Sequence, residues 1–343
     1  MLVSTLPAGP VDVIGDVHGE IEALESLLHS LGYDETGMHP AARRVVFIGD
    51  LTDRGPDSPA VAELAMAWAQ RGVAHCLLGN HELNLLRGDI KHGNSWFTDP
   101  GASDLQPGGE FEHCKVADGR FAARYLDFIR TLPLVLERPD LRLVHAAWIP
   151  AAIDELRGIT APLIEAFDEC DAAINATLEA EGLLEAARVE ETRHDLHARH
   201  PPPPLLSASA TCDARLQTLN PIRVVTSGPE RVAAAPFWMA GKWRMLDRVK
   251  WWDDYTSKVP VIIGHYWRRW EPVWASDHAP SERDPFKGLG RTDWMGRDGN
   301  VFCVDYAVGG RYQERRNGAT RYATRLMAMR WPERILWSEE GPA

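Results

Sequence analysis

Asp16 and His18 lie two residues apart, bracketed by Gly15 and Gly19. Asp50, Asp53 and Arg54 sit between Gly49 and Gly55, and Asn80, His81 and Glu82 follow Gly79. Further along, His145 and His265 each close a short apolar run. Hard divalent cations take oxygen and imidazole ligands, and two of them need one carboxylate to share. Asp16 and His18 can reach one side of a single loop, and Asp50 is a natural bridge. Asn80, His145 and His265 supply a carbonyl oxygen and two imidazoles for a second ion. A cation pair held this way can bring the pKa of a shared water near neutrality and clamp the attacking and leaving oxygens of a displacement. Each piece alone is weak: an isolated Asp-x-His is usually a surface pair, and a lone strand-end His usually packs in a core. Five clusters of the right types, each after an apolar run, are not a chance set.

The elements that position these residues are legible from pattern. Val11 to Ile14, Arg44 to Ile48, Val73 to Leu78, Leu141 to Val144 and Val259 to Ile263 read as buried strands. Each delivers one cluster at its C-terminal end, where open α/β sheets place their sites. Ile21, Leu24, Leu27, Leu28 and Leu31 recur at helical spacing, with Gly32 as the stop. Ser58-Pro59 starts a second helix carrying Val61, Leu64, Ala65 and Trp68 on one face, with Gly72 past its end. The first eighty residues thus read strand-helix-strand-helix-strand, an α/β architecture. Residues 88 to 118 read as a long loop overhanging the Asn80-His81 cluster. Residues 151 to 200, rich in Ala, Leu and Glu, read as surface or cap helices, and Pro201 to Pro204 as a stiff linker. The expected organisation is a catalytic domain from 1–150 and 256–343, with 151–255 as an insertion that does not stand alone. An Asn300 to Asp305 strand follows, then an Arg-rich tail read as a solvated face paired with the acidic helices, or as a source of one phosphate-recognising Arg.

Gly15-Asp16-Val17-His18-Gly19, Gly49-Asp50-Leu51-Thr52-Asp53-Arg54-Gly55 and Gly79-Asn80-His81-Glu82 resemble the three signature motifs of the phosphoprotein-phosphatase (PPP) branch of the calcineurin-like metallophosphoesterases. That branch holds Ser/Thr phosphatases and bacterial diadenosine tetraphosphate hydrolases. The resemblance spans about residues 11 to 148 and 259 to 310. It implies a β-sandwich flanked by helices, with a helical cap inserted in the second half. It also implies two divalent metal ions, manganese ahead of iron, zinc, nickel, cobalt or magnesium. The implied ligands are Asp16 and His18 on one ion, Asp50 on both, and Asn80, His145 and His265 on the other. His81, held by Asp53, would protonate the leaving group, and Arg54 would grip the phosphate oxygens, with Asn80 as a second substrate-binding residue. General-acid catalysis and the planar fork of a guanidinium suit those roles. Thr52 stands where Val is more usual, Ala146-Ala147 follow His145, and Tyr266-Trp267 follow His265. These departures point to a bacterial-type member. A second phosphate-gripping Arg is not placed by motif; Arg223, Arg268 and Arg269 are candidates.

Composition narrows the partners. A formal net charge of −12 disfavours long polyanions, though a local metal centre can still bind a small phosphorylated molecule, nucleotide or phosphoprotein. No run is long and apolar enough for a membrane span, and no signal peptide is evident at the N-terminus. Five scattered cysteines without a CxxC pair fit buried free thiols and a cytoplasmic setting. Of thirteen tryptophans, Trp238, Trp243, Trp251, Trp252, Trp267, Trp270 and Trp274 bracket the last histidine. They either pack the insertion onto the sheet or form an aromatic wall that stacks a base or phenyl ring. The leading functional expectation is a phosphomonoesterase. A dinucleoside polyphosphate hydrolase is its rival, and a non-catalytic binding module a third reading against which the intact His81 and Arg54 argue.

Overall fold

Runs of four or five Val, Ile and Leu residues are too short for a stable helix and are buried as strands when both faces are covered. The structure, a computed structural model, describes residues 1–91, 93–97, 114–239, 241–270 and 283–343. Its strands form two main sheets. One runs in the order Gly341–Pro342, Ile335–Ser338, Met327–Trp331, Val11–Ile14, Arg44–Phe47, Ala74–Cys76. Its last three strands are parallel, with Val13 opposite Val46 and Val45 opposite Ala74. The other runs Val3–Thr5, Val135–Arg138, Leu141–Val144, Val261–Ile263, Val301–Cys303, its last three strands again parallel.

Side-chain alternation along the strands builds a sandwich. Val13, Val46 and Ile48 from the first sheet meet Leu143, Ile262 and Phe302 from the second in one buried cluster. Ile14, Val45 and Phe47 face the opposite way and pack under Leu24, Leu27, Val61, Ala65 and Trp68. Each such buried side chain contributes ~1.5–3 kcal/mol relative to exposure, so both layers resist polar substitution. The protein is therefore an α/β β-sandwich flanked by helices, as the motifs implied.

The two expected helices are Ile21–Leu31, ended by Gly32 at φ 96°, and Ser58–Gln70. The second starts on an unforeseen cap, the Asp57 carboxylate accepting the Ala60 N–H. The third motif is itself helical: Asn80–Arg87 begins at the metal-competent Asn80, so Asn80 and His81 occupy a rigid first turn. The Val259 to Ile263 run shortens to a Val261–Ile263 strand, since Pro260 has no N–H for the ladder. Periodicity did not show the edge strand Val3–Thr5, the Val135–Arg138 strand, the Gly119–Ile129 helix or the three C-terminal strands.

Residues 151–255 hold the expected helices, with Leu163–Ala180 and Leu183–Arg193 the longest of the acidic stretch. They are not wholly helical, however. Glu230–Met239 and Lys242–Arg248 pair as an antiparallel hairpin, with Trp238 opposite Trp243. The alternating apolar residues that would mark a strand are interrupted by a register shift between Val232 and Phe237, which hid it. The C-terminal arginines also pair elsewhere than expected. Arg311, Arg315 and Arg330 bind Glu339, Glu20 and Asp12 of the sandwich, not the acidic helices. Cys76, Cys212 and Cys303 are buried free thiols, whereas Cys114 and Cys170 are half-buried. Among the described residues no helix is long and apolar enough to cross a membrane.

Candidate active site

Both sheets present the C-terminal ends of their parallel strands to one edge of the sandwich. Asp16 follows Ile14, Asp50 follows Phe47 by three residues, and Asn80 comes four after Cys76. His145 follows Val144, and His265 follows Ile263 by two. All six predicted ligands meet there. His18, Asp50 and His81 form one group able to hold a metal ion; Asp50, His145 and His265 form another, and Asp50 belongs to both.

The distances fit a shared carboxylate. Asp50 Oδ2 lies 3.9 Å from His18 Nε2, 3.9 Å from His81 Nε2 and 3.4 Å from His145 Nε2. Asp16 Oδ2 is 4.0 Å from His18 Nε2. Asn80 Oδ1 lies 3.2 Å from His145 Nε2 and 2.9 Å from His265 Nδ1, so amide oxygen and two imidazoles converge. The far ring nitrogens are committed. His18 Nδ1 meets the Thr52 carbonyl at 3.1 Å and His145 Nδ1 the Ile48 carbonyl at 2.9 Å. Donation of those N–H groups leaves each Nε2 lone pair pointing inward, the tautomer a metal ligand requires.

Five of these polar residues occupy the left-handed region: His18 at φ 49°, Asp50 at 52°, Asp53 at 79°, Arg54 at 71° and His265 at 68°. Such backbone costs energy outside glycine and survives only where the surroundings fix it. Buried Glu82 is one such fixture: its carboxylate accepts the N–H groups of Asp50, Leu51 and Gly79 at 2.8–3.0 Å. Gly264 is another, because a Cβ there would stand 2.2 Å from Asp16 Oδ1. The loop thus carries its His265 N–H to 3.2 Å from both Asp16 oxygens.

Electrostatics show a cluster short of positive charge. Burial first, then the charges of Asp305 and Asp50, hold Asp16 well above the usual carboxylate range. Burial opposes ionisation of Asp50 as well, but His145, His81 and His18 around it hold it well below. Burial lowers His18 and His265, helped by Arg54 and Arg248 respectively. His145 is pulled down by burial, yet Asp50 and Asp16 push it up to about 10. Neutral His18 and His265, with a His145 that can give up its proton, stand beside buried carboxylates that a divalent cation would relieve, so the donor set fits metal ions.

Beside the ligands stands a second array. The Asp53 carboxylate, wholly buried, accepts from His81 Nδ1, from Asn94 Nδ2 at 2.7 Å and from the Trp96 indole N–H. Arg54 spans the gap with Nη1 3.0 Å from His18 Nε2 and Nη2 3.1 Å from His81 Nε2. Sequence reasoning assigned no role to Asn94, Trp96, Glu82 or Asp305. Asn94 and Trp96 come from the loop expected to overhang the site; its residues 92 and 98–113 lie outside the described residues. Thr52, the departure from the motif, is buried with its hydroxyl 3.4 Å from that of Tyr125.

Of the guessed arginines, Arg268 is buried and donates to the carbonyls of Gly290 and Asp293, and Arg223 is paired with Asp171 among the helices. Neither faces the ligands. Arg248, at the end of the hairpin and unforeseen, lies over the Tyr266 ring at 5.2 Å and bears on His265. The tryptophans divide. Trp251 and Trp252 are core residues, Trp238 and Trp243 pair on the hairpin, and Trp270 packs on Tyr306. Trp274 lies outside the described residues, and Trp267 is exposed beside Arg54.

The chain belongs to the calcineurin-like phosphoesterase family, whose sequence profile matches residues 9–228. Over 80 residues it is 46% identical to the bis(5'-nucleosyl)-tetraphosphatase PrpE [asymmetrical] of Oceanobacillus iheyensis, covering 22% of this chain and 32% of that one. Over 142 residues it is 33% identical to the same-named protein of Halalkalibacterium halodurans, covering 39% and 54%. The chain thus spans less than two thirds of the length of these curated relatives. A solved cold-active protein-tyrosine phosphatase of a Shewanella species superposes at TM-score 0.48 and 16% identity, covering 98% of this chain and 80% of that one.

Proposed function

We propose that this chain hydrolyses a phosphoanhydride bond of a dinucleoside polyphosphate by direct attack of water. The observation that carries the hydrolytic reading is the convergence of Asp16, His18, Asp50, Asn80, His145 and His265 around one shared carboxylate. Support for the substrate comes from the relatives named as tetraphosphatases. In this reading Asp16, His18 and Asp50 would hold one divalent cation and Asp50, Asn80, His145 and His265 the other, manganese being the first choice. Such a pair supplies charge that polarises water and neutralises the phosphoryl oxygens.

The remaining work falls to the chain's own groups. Arg54 turns its fork to two phosphoryl oxygens, Asn80 assists in substrate binding, and Arg248, which bears on His265, is the second guanidinium. Water forms a new P–O bond in line as the bond to the leaving oxygen breaks, its own proton passing to solvent, from which His81 is later reprotonated, and no covalent phosphoenzyme is needed. A proton on His81 Nε2 passes to that oxygen, while Asp53 steadies the resulting imidazole through Nδ1. We read residues 151–255 as an insertion on a catalytic domain formed by 1–150 and 256–343, contributing Arg248 to the site.

One observation favours a second reading. A polyphosphate leaving group needs little protonation, whereas an alkoxide needs a proton, and His81 is held by an elaborate buried array. A phosphomonoesterase would use that array fully. Diadenosine tetraphosphate, glycerol phosphate and a phosphopeptide, each incubated with the manganese-loaded protein, separate the two. Nucleotide products resolved by chromatography support the first reading; phosphate release from the monoesters alone supports the second. Turnover of none at full metal content would leave only a binding module.

A further inference from the structure

Trp267 sits two residues after the ligand candidate His265 and stands apart from the other described tryptophans of its cluster. It is 39% exposed, while Trp251 and Trp252 are 2% exposed. Its backbone is left-handed at φ 58°, a conformation that bulky residues rarely adopt and that clusters at functional sites. Buried Asp305 fixes it there: one carboxylate oxygen accepts the Trp267 N–H at 2.7 Å, the other the N–H of Ala307 at 2.8 Å. Ala307, itself at φ 60°, leads into the Gly309-Gly310 turn, and Gly310 abuts the indole. Strain is thus spent on holding a large apolar ring partly in solvent, against its packing preference.

What the ring faces is specific. The Arg54 guanidinium lies over it, 4.9 Å from its centre, and the same guanidinium reaches His18 and His81 with its two terminal nitrogens. Stacking on the face of a guanidinium leaves its in-plane N–H groups free to bond phosphate oxygens. The indole therefore stands one guanidinium away from His18 and His81, at the edge of the ligand cluster.

We propose that Trp267 is the platform on which a nucleobase of the substrate stacks, so that the site selects nucleotides over polyphosphates lacking a base. This rests on the dinucleoside polyphosphate reading given above. Asp305 holds the backbone on either side of this turn through the N–H groups of Trp267 and Ala307.

The test compares one bond type with and without a base. Kinetics of wild type, Trp267→Ala and Trp267→Phe are measured on diadenosine tetraphosphate and on inorganic tripolyphosphate, with manganese. Trp267→Ala should raise KM for the nucleotide about tenfold more than for tripolyphosphate, ~1.4 kcal/mol of stacking, and Trp267→Phe should restore most of it. In parallel, adenosine monophosphate should quench the emission of wild type and not of Trp267→Phe, while inorganic phosphate quenches neither. Equal losses on both substrates would mean that the indole merely props Arg54, and an undiminished quench in Trp267→Phe would equally overturn the proposal. If wild type cleaves neither compound, the proposed reaction fails, yet the quenching experiment still decides whether Trp267 holds a base.

Discussion

Replacing Asp53 by Asn removes one charge from a wholly buried carboxylate and changes almost nothing in shape. Asp53 accepts three N–H groups: Oδ2 takes His81 Nδ1 and Asn94 Nδ2, and Oδ1 takes the Trp96 indole. A carboxamide accepts through one oxygen only. If that oxygen faces His81 and Asn94, its NH2 opposes the Trp96 N–H, and a buried donor is left unpaired at about 1–3 kcal/mol of stability. On catalysis, the loss is the charge-assisted bond that steadies His81, about 1.5–3 kcal/mol, or roughly a 10- to 150-fold fall in kcat. Removing the imidazole with His81→Ala should cost more, about 10²- to 10⁴-fold. Because Asp53 acts through His81, the double substitution should fall no further than His81→Ala alone. Single-turnover rates on a nitrophenyl and a phenyl phosphate, with metal content measured on every variant, make the check. The loss in Asp53→Asn should be larger for the poorer phenyl leaving group. Equal losses on both esters, or a further fall in the His81→Ala background, would refute a proton relay and make Asp53 a scaffold residue.

Asp50→Asn should lose bound metal together with activity, and two ions retained by elemental analysis would contradict a shared carboxylate. Metal binding should release protons and tighten as pH rises, because His145, pushed up to about 10, must give up its proton to serve as a ligand. The same shift means that, without metal, the His145 contribution to stability is full below its ordinary value of 6.5 and fades as pH climbs through about 10; chemical denaturation across that range should show it. Gly309→Ala would place a Cβ 2.3 Å from His18 Cδ2 and 2.9 Å from Arg54 Nη1, and because the buried His18 ring is held by the Thr52 carbonyl it should both impair turnover and lower the melting temperature, the overpacking costing about 1–3 kcal/mol. Arg248→Ala should raise KM with less effect on kcat, and an unaltered KM would remove Arg248 from phosphate binding.

Chemistry and much of the scaffold were written locally. Asp16, His18, Asp50, Asn80, His145 and His265 each follow a short apolar run, and a run of that length, most often bounded by glycine and polar residues, reads as a buried strand delivering a loop. The first two helices were equally plain, since Leu24, Leu27, Leu28 and Leu31 alone define a buried face before Gly32. Contacts between remote segments left no such trace. Asn94 and Trp96 bind Asp53 from more than forty residues away, Arg248 bears on His265 from a hairpin hidden by its bulge, and Asp305 holds Trp267 from the end of the neighbouring strand. Likewise the C-terminal strand Met327–Trp331 pairs with Val11–Ile14 over some three hundred residues. The sequence determined which groups could bind metal and move a proton, because that depends on residue type and on nearest neighbours. The tertiary structure decided which of them are buried, in what charge state, and which indole stays exposed beside Arg54, because desolvation and Coulomb interaction depend on distances that only folding sets.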